Sequence, residues 1–145
     1  MKRIILSIIS ITLILSMCIS FASCGRRINI EKTVNKLEKK GFEVTKVYET
    51  KDELNYITTL TNMVSSALGG AKVEIVYQVE LALKDDAKIT CQIIEFATED
   101  QCKEYYGFFV CDKTVASSVK AARVGTVMII TNSEVVQNVL KLDFE

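Results

Sequence analysis

Three cysteines, Cys91, Cys102 and Cys111, are the strongest nucleophiles in the long middle and end of this chain. Their spacings are not those of a zinc site, and no His is present to complete a ligand set. Cys102 and Cys111 fall at opposite ends of one helical stretch. A regular helix would hold them about 13 Å apart, too far for a disulfide. Cys91 lies on a strand-like run and Cys102 on the helix after it, so these two can meet in the core and form a Cys91–Cys102 bridge. The alternative is two buried thiols acting as small apolar side chains. Cys102 and Cys111 are also the residues on which thiol redox or enzyme chemistry would rest, although nothing around Cys111 predicts a lowered pKa.

Other groups able to do chemistry have simpler local uses. Asp52-Glu53 and Glu99-Asp100 stand at helix starts, and Asp85-Asp86 lies in a turn. A hydrolytic carboxylate pair must converge across a cleft, and none of these neighbours in sequence implies that. Gly69-Gly70 lacks the Lys-Ser/Thr signature of a phosphate loop and reads as a helix stop. Tyr105 and Tyr106 offer rings for stacking. Their spacing with Cys102 and Phe109 instead favours a core role, more so for Tyr105. The absence of His also removes the usual acid–base side chain near neutral pH. The sequence implies no cofactor, no metal and no catalytic residue.

Charge narrows the partners. The 145 residues carry 18 basic and 18 acidic side chains. Residues 1–23 hold two of the basic ones, Lys2 and Arg3, and no acid, so 16 basic face 18 acidic in the remainder. The basic residues are scattered. A nucleic-acid surface needs them concentrated, so nucleic acid is not an expected partner.

The first 25 residues have a different character. Lys2 and Arg3 precede the apolar run from Ile4 to Leu15, which only small hydroxyl residues interrupt. Phe21-Ala22-Ser23-Cys24-Gly25 follows. A positive start, an apolar stretch and small residues before a cleavage point form an export signal. This segment resembles the lipobox signal of bacterial lipoproteins. It differs in having Phe21 where Leu is usual and Ser23 where Gly or Ala is common. The resemblance implies cleavage after Ser23, lipidation of Cys24, and a protein held on the extracytoplasmic face of the cell membrane. Acyl chains then anchor it by burying methylenes, at about 0.8 kcal/mol each. Arg26 and Arg27 can meet anionic headgroups, at about 1 kcal/mol per contact, or lie in a solvated linker. The run from Ile4 to Ser23 is also about long enough to remain as a membrane helix, and simple cleavage with release is a third outcome.

Past a tether at 24–29, residues 30–145 read as one α+β domain. Ile30, Val34 and Leu37 share a helical face that Asn29 can cap and Gly41 can end. Residues 43–49 read as a strand with imperfect alternation. The capping box Thr50-Lys51-Asp52-Glu53 opens a helix to about Leu68. Strict alternation from Lys72 to Leu83 and a second strand from Lys88 to Ala97 form a hairpin about residues 84–87. Thr98-Glu99-Asp100-Gln101 starts a third helix. A loop is expected over Cys111–Ala121, one strand over Ala122–Thr131, and a last helix with Val135, Val136, Val139 and Leu140 on its apolar face. The order strand-helix-strand-strand-helix-strand matches a ferredoxin-like split βαβ plan: a four-stranded antiparallel sheet with extra N- and C-terminal helices. Many functions use that plan. The expected role is a non-catalytic binding or interaction module recognising another envelope protein, a peptide or a small ligand. A thiol-based enzyme and a structural component of an envelope complex are the alternatives.

Overall fold

The protein is described from a computed structural model over residues 27–67, 69–70, 72–111 and 118–145. The export signal, Cys24 and the start of the tether lie outside these residues. The described part is an α+β domain with one five-stranded antiparallel sheet and four helices, in the order α1 (Ile30–Glu38), β1 (Phe42–Tyr48), α2 (Lys51–Ala67), β2 (Ile75–Leu83), β3 (Asp86–Phe96), α3 (Glu99–Cys111), β4 (Lys120–Val124), β5 (Val127–Thr131) and α4 (Glu134–Leu140).

Local signals act largely as the sequence implies. Asn29 Oδ1 accepts from the Lys32 amide at 2.8 Å, which satisfies one orphan donor of α1. Gly41, at φ +91°, donates to the Glu38 carbonyl and turns the chain so that Phe42 joins Leu37 in the core. Thr50 and Glu53 form the reciprocal box that starts α2, with the Thr50 hydroxyl 2.7 Å from Glu53 Oε2. Those hydrogen bonds hold the Glu53 carboxyl below its ordinary pKa. At the other end, Gly69 (φ +81°) donates to Ser66 and Gly70 to Ser65, the paired bonds of a Schellman stop.

The sheet order is β1-β2-β3-β5-β4, with every neighbouring pair antiparallel. This departs from the expected four-stranded plan in two places. The stretch read as one strand, Ala122–Thr131, is a hairpin. Gly125 (φ +61°) and Thr126 form its two-residue turn between the paired Val124 and Val127. A positive φ at the first central residue only is the sign pattern of a type II′ turn. Its first strand begins at Lys120, inside the expected loop. Secondly, β1 and β2 are adjacent antiparallel neighbours, so α2 links a pair already hydrogen-bonded and does not span a third strand. Only the second half keeps the split βαβ logic, since β3 and β4 run parallel with β5 between them.

Helices cover both faces, giving two cores. On one face α1 and α4 bury Leu37 and Val136 against Val79, Leu81, Cys91, Ile93 and Ile129. On the other, α2 and α3 bury Ile57 and Cys102 against Ile75, Ile94, Phe96 and Met128. Two bulges decide which residue meets which face. Between Val44 and Lys46 the register shifts by one, so Val44 and Val47 both lie on the α1 face, opposite Leu81 and Val79. A second shift between Ile75 and Tyr77 puts these two residues on opposite faces. An extra residue reverses the two-residue alternation, which explains the irregular pattern of β1. The β4 edge is covered by the C-terminus: Ala121 and Glu145 exchange main-chain hydrogen bonds at 3.0 and 2.9 Å. β1 is the other edge, and no strand among the described residues pairs beyond it.

Candidate functional site

The sheet separates the cysteines. Cys91 belongs to the α1/α4 core and Cys102 to the α2/α3 core, both fully buried and both free thiols. The pairing considered from sequence order is therefore not made, because the sheet stands between the core that holds Cys91 and the core that holds Cys102. Burial pushes each thiol up to about 12. Neither has the depressed pKa that nucleophilic or redox cysteines use. Cys111 is exposed at the end of α3.

The carboxylate pairs stay local. Asp86 accepts from the Lys88 amide at 3.0 Å in the β2–β3 turn. Glu99 pairs with Arg123 at 3.3 Å, joining α3 to β4. Gln101 takes part in the α3 cap through its amide, while its side chain accepts from the Glu74 amide at 3.1 Å. Tyr105 packs its ring 5.5 Å from that of Phe96, and burial raises its pKa. Tyr106 is half-buried near Glu145, and its pKa is raised first by burial and then by that carboxylate. Among the described residues no group of three His, Cys, Asp or Glu side chains is placed to hold a metal ion. No described helix is long and apolar enough to cross a membrane.

Two surface features were not visible as motifs. The first is a groove of about 450 Å³ on the α1 face. Its floor is Val44, Val47, Tyr77 and Val79, and its walls include Ile30 and Val34. Glu31 and Glu38 from α1 and Glu95 from β3 stand around it, with Asn35, and no Lys or Arg lines it. Among the described residues none of these three carboxylates is in an ion pair, and Glu95 accepts from the Thr126 hydroxyl at 3.4 Å. On α1, Glu31 and Glu38 are seven residues apart on the groove side, and Lys36 falls on the opposite side. Glu49 adds a further negative charge near Tyr77, whose pKa burial and that charge raise. The groove depends on the β1 bulge, which brings Val44 and Val47 to the same face. Only the irregular alternation of residues 43–49 hinted at it.

The second is a cleft of about 450 Å³ between α2 and α3 on the other face. Glu80 and Gln92 are cross-strand partners on its floor. Gln78 donates to Glu80 Oε1 at 3.0 Å. Tyr48, Tyr105 and Phe109 supply aromatic walls. Both features offer binding surface; neither gathers a nucleophile, a base and a stabilising donor, which is what a reaction centre requires.

Comparison of the chain with protein-family models, with curated proteins and with solved structures finds no match. Function must therefore be argued from these surfaces and from the sequence.

Proposed function

We propose that this chain is a lipid-anchored lipoprotein of the extracytoplasmic membrane face, and that its domain is a non-catalytic binding module. The apolar groove rimmed by Glu31, Glu38 and Glu95 is the observation that carries the binding role. An apolar floor supplies contact area, and carboxylates that no described Lys or Arg pairs supply selectivity by charge. The occupant that fits both is a polypeptide segment that presents apolar side chains together with Lys or Arg. An acidic segment would place like charges against the rim.

The anchor rests on the sequence Phe21-Ala22-Ser23-Cys24 behind a basic and then apolar start. An intact mass of the membrane-extracted protein tests it. The expected species begins at Cys24 and carries the added mass of the acyl groups. A protein that retains Met1, or begins unmodified beyond Cys24, would refute anchoring.

The groove is tested with a synthetic ten-residue peptide of alternating Lys and Val, against its Glu and Val counterpart. Only the Lys peptide should shift the NMR signals of Val44, Val47 and Val79, with weaker binding as salt rises. Glu31→Lys with Glu38→Lys should abolish that binding. Equal binding of both peptides, or of neither, would defeat the proposed occupant. A thiol-based function makes a separate demand, namely fast labelling of exposed Cys111 or of Cys102 at neutral pH. With the Cys102 thiol pushed up to about 12, its labelling should wait for unfolding.

A further inference from the structure

We infer, on the basis of the groove proposed above as a peptide site, that the partner segment binds as a short strand added to the β1 edge. Main-chain bonds to β1 then hold the segment whose side chains fill the groove. The direction of the β1 main chain follows from its partner β2. The Lys84 amide donates to the Gly41 carbonyl at 3.0 Å, and the Thr45 hydroxyl donates to the Glu80 carbonyl at 3.1 Å. Glu80 and Lys84 therefore turn their main chains toward β1. Successive residues of a strand turn to opposite neighbours, so Val79 and Leu81 turn theirs to β3. Val47 and Val44 stand opposite Val79 and Leu81, at the non-hydrogen-bonded positions of the β1–β2 pair. Their amides and carbonyls point outward, away from β2. Among the described residues no strand pairs beyond β1, and no main-chain bond outside the helices and strands reaches Val44 or Val47.

The bulge between Val44 and Lys46 gives these two valines both properties at once. Their side chains form part of the groove floor, and their main-chain groups stand at the open edge. Such groups are satisfied by another extended main chain, which a lipid or a small apolar ligand does not supply. Alternate side chains of an added strand fall on the α1 face. There they meet Val44, which is 36 % exposed, and the carboxylates of Glu31 and Glu38 that line the same groove. The apolar floor accepts Val-like side chains, and the carboxylates select Lys or Arg among them. The β1 strand of a second copy is a poor guest. Antiparallel edge pairing of two copies would set α1 beside α1 and bring their carboxylates together. The bulge also keeps the added strand short. Val47 lies three residues from Val44 and not two, so a regular guest stays in step with one side of the bulge only. Glu43 and Lys46, charged and exposed on the same strand, further oppose long edge-to-edge pairing.

The test uses the full chain in discs of neutral lipid and a ten-residue peptide in which every second residue is Thr and the others alternate between Val and Lys. As a strand, this peptide carries Val and Lys on one face. It is compared with two forms, N-methylated on the main chain of every Thr or of every Val and Lys. Amides of alternate residues point to the same edge of a strand, so each set of methyl groups blocks one edge alone. One set should weaken binding at least tenfold, and the other should leave it within twofold. Loss with the Val and Lys set shows an antiparallel guest, and loss with the Thr set a parallel one. With saturating unmodified peptide, hydrogen exchange at the Val44 or Val47 amide should slow at least tenfold, while the buried Ile93 amide stays unchanged. If the unmodified peptide binds in the groove but neither set weakens it, or both weaken it equally, strand addition is overturned and the groove stands. Unchanged exchange at both valines overturns it as well. If the unmodified peptide does not shift the Val44 and Val79 signals at all, the groove fails as a peptide site and strand addition falls with it.

Discussion

The first two helices solve the same problem in opposite ways. α1 has nine residues, buries Thr33 and Leu37, and turns Lys32, Lys36 and Lys39 to solvent. Its stability comes from one apolar stripe on one core, as for most surface helices. α2 has 17 residues and buries only Ile57 and Ser65 among them. It is held to the sheet largely by polar hooks. Asn62 donates to the Val73 carbonyl at 2.8 Å and accepts from the Val73 amide at 2.7 Å. Its carboxamide thus takes the place of a neighbouring strand. The Thr58 hydroxyl accepts from the Ile75 amide at 3.1 Å. A helix attached by its polar side chains can leave apolar ones facing outward.

The contrast predicts different costs on the two faces. Leu37→Ala removes a side chain with no exposed surface from the α1/α4 core. It should cost about 2–5 kcal/mol, through lost burial and a cavity. Chemical denaturation with an unchanged denaturant slope would check this. A loss under 1 kcal/mol would mean that α1 is not fastened to the sheet by this stripe.

Asn62→Ala should cost less, about 1–3 kcal/mol, by leaving the Val73 main chain without its partners. Its signature is local. Hydrogen exchange at the Val73 amide should rise well before that of the β3 and β5 core. Uniform acceleration across the sheet would show that the hooks are not a separate attachment.

How far the sequence revealed this contrast depends on the kind of signal. The Asn29 cap, the Thr50–Glu53 box and the Gly41 and Gly69 stops rely on contacts within a few residues, and these were readable one element at a time. The alternation of Tyr77–Leu83 likewise reports a strand with one face in the α1/α4 core, whereas the bulge between Ile75 and Tyr77 breaks the single face expected from Lys72 onward. What was not readable required knowledge of the partner strand. The bulge at Val44–Lys46 shows only as a fault in alternation until Leu81 and Val79 are seen opposite. The Gly125 turn was hidden because Val124, Val127 and Met128 suit one long strand as well as two short ones. Asn62 lay among Thr and Ser residues that lower helix propensity, with nothing to single it out as a hook. Both surface features follow from these non-local facts. The outward apolar side of α2 could have been found earlier, since the uncharged run from Leu54 to Ala71 is plain in the sequence.

Changes on the outer side of α2 should matter least to folding. Met63→Lys replaces a side chain that is 65 % exposed. It should alter the stability of the domain by no more than about 0.5 kcal/mol, measured at low protein concentration. A loss of several kcal/mol would show that this outer side is part of the intramolecular core, and the distinction between the two helices would fail.

The smallest effect is at the start of α2 and depends on pH. The Thr50 side chain and amide stabilise ionised Glu53, so its carboxyl titrates below its ordinary value of 4.5. A depressed carboxyl contributes stability above its unfolded-state pKa, and that contribution disappears as pH falls through the folded-state value. The first turn of α2 should therefore loosen as pH falls below 4.5 and not change between pH 6 and 8. NMR titration of Glu53 alongside the amide signals of residues 51–54 would follow both events in one experiment. Thr50→Val, which keeps the shape and removes the hydroxyl, should bring the Glu53 carboxyl back toward its ordinary value. If Glu53 titrates normally in the unaltered protein, the reciprocal box does not form in solution, and α2 is held at this end by Leu54 packing alone.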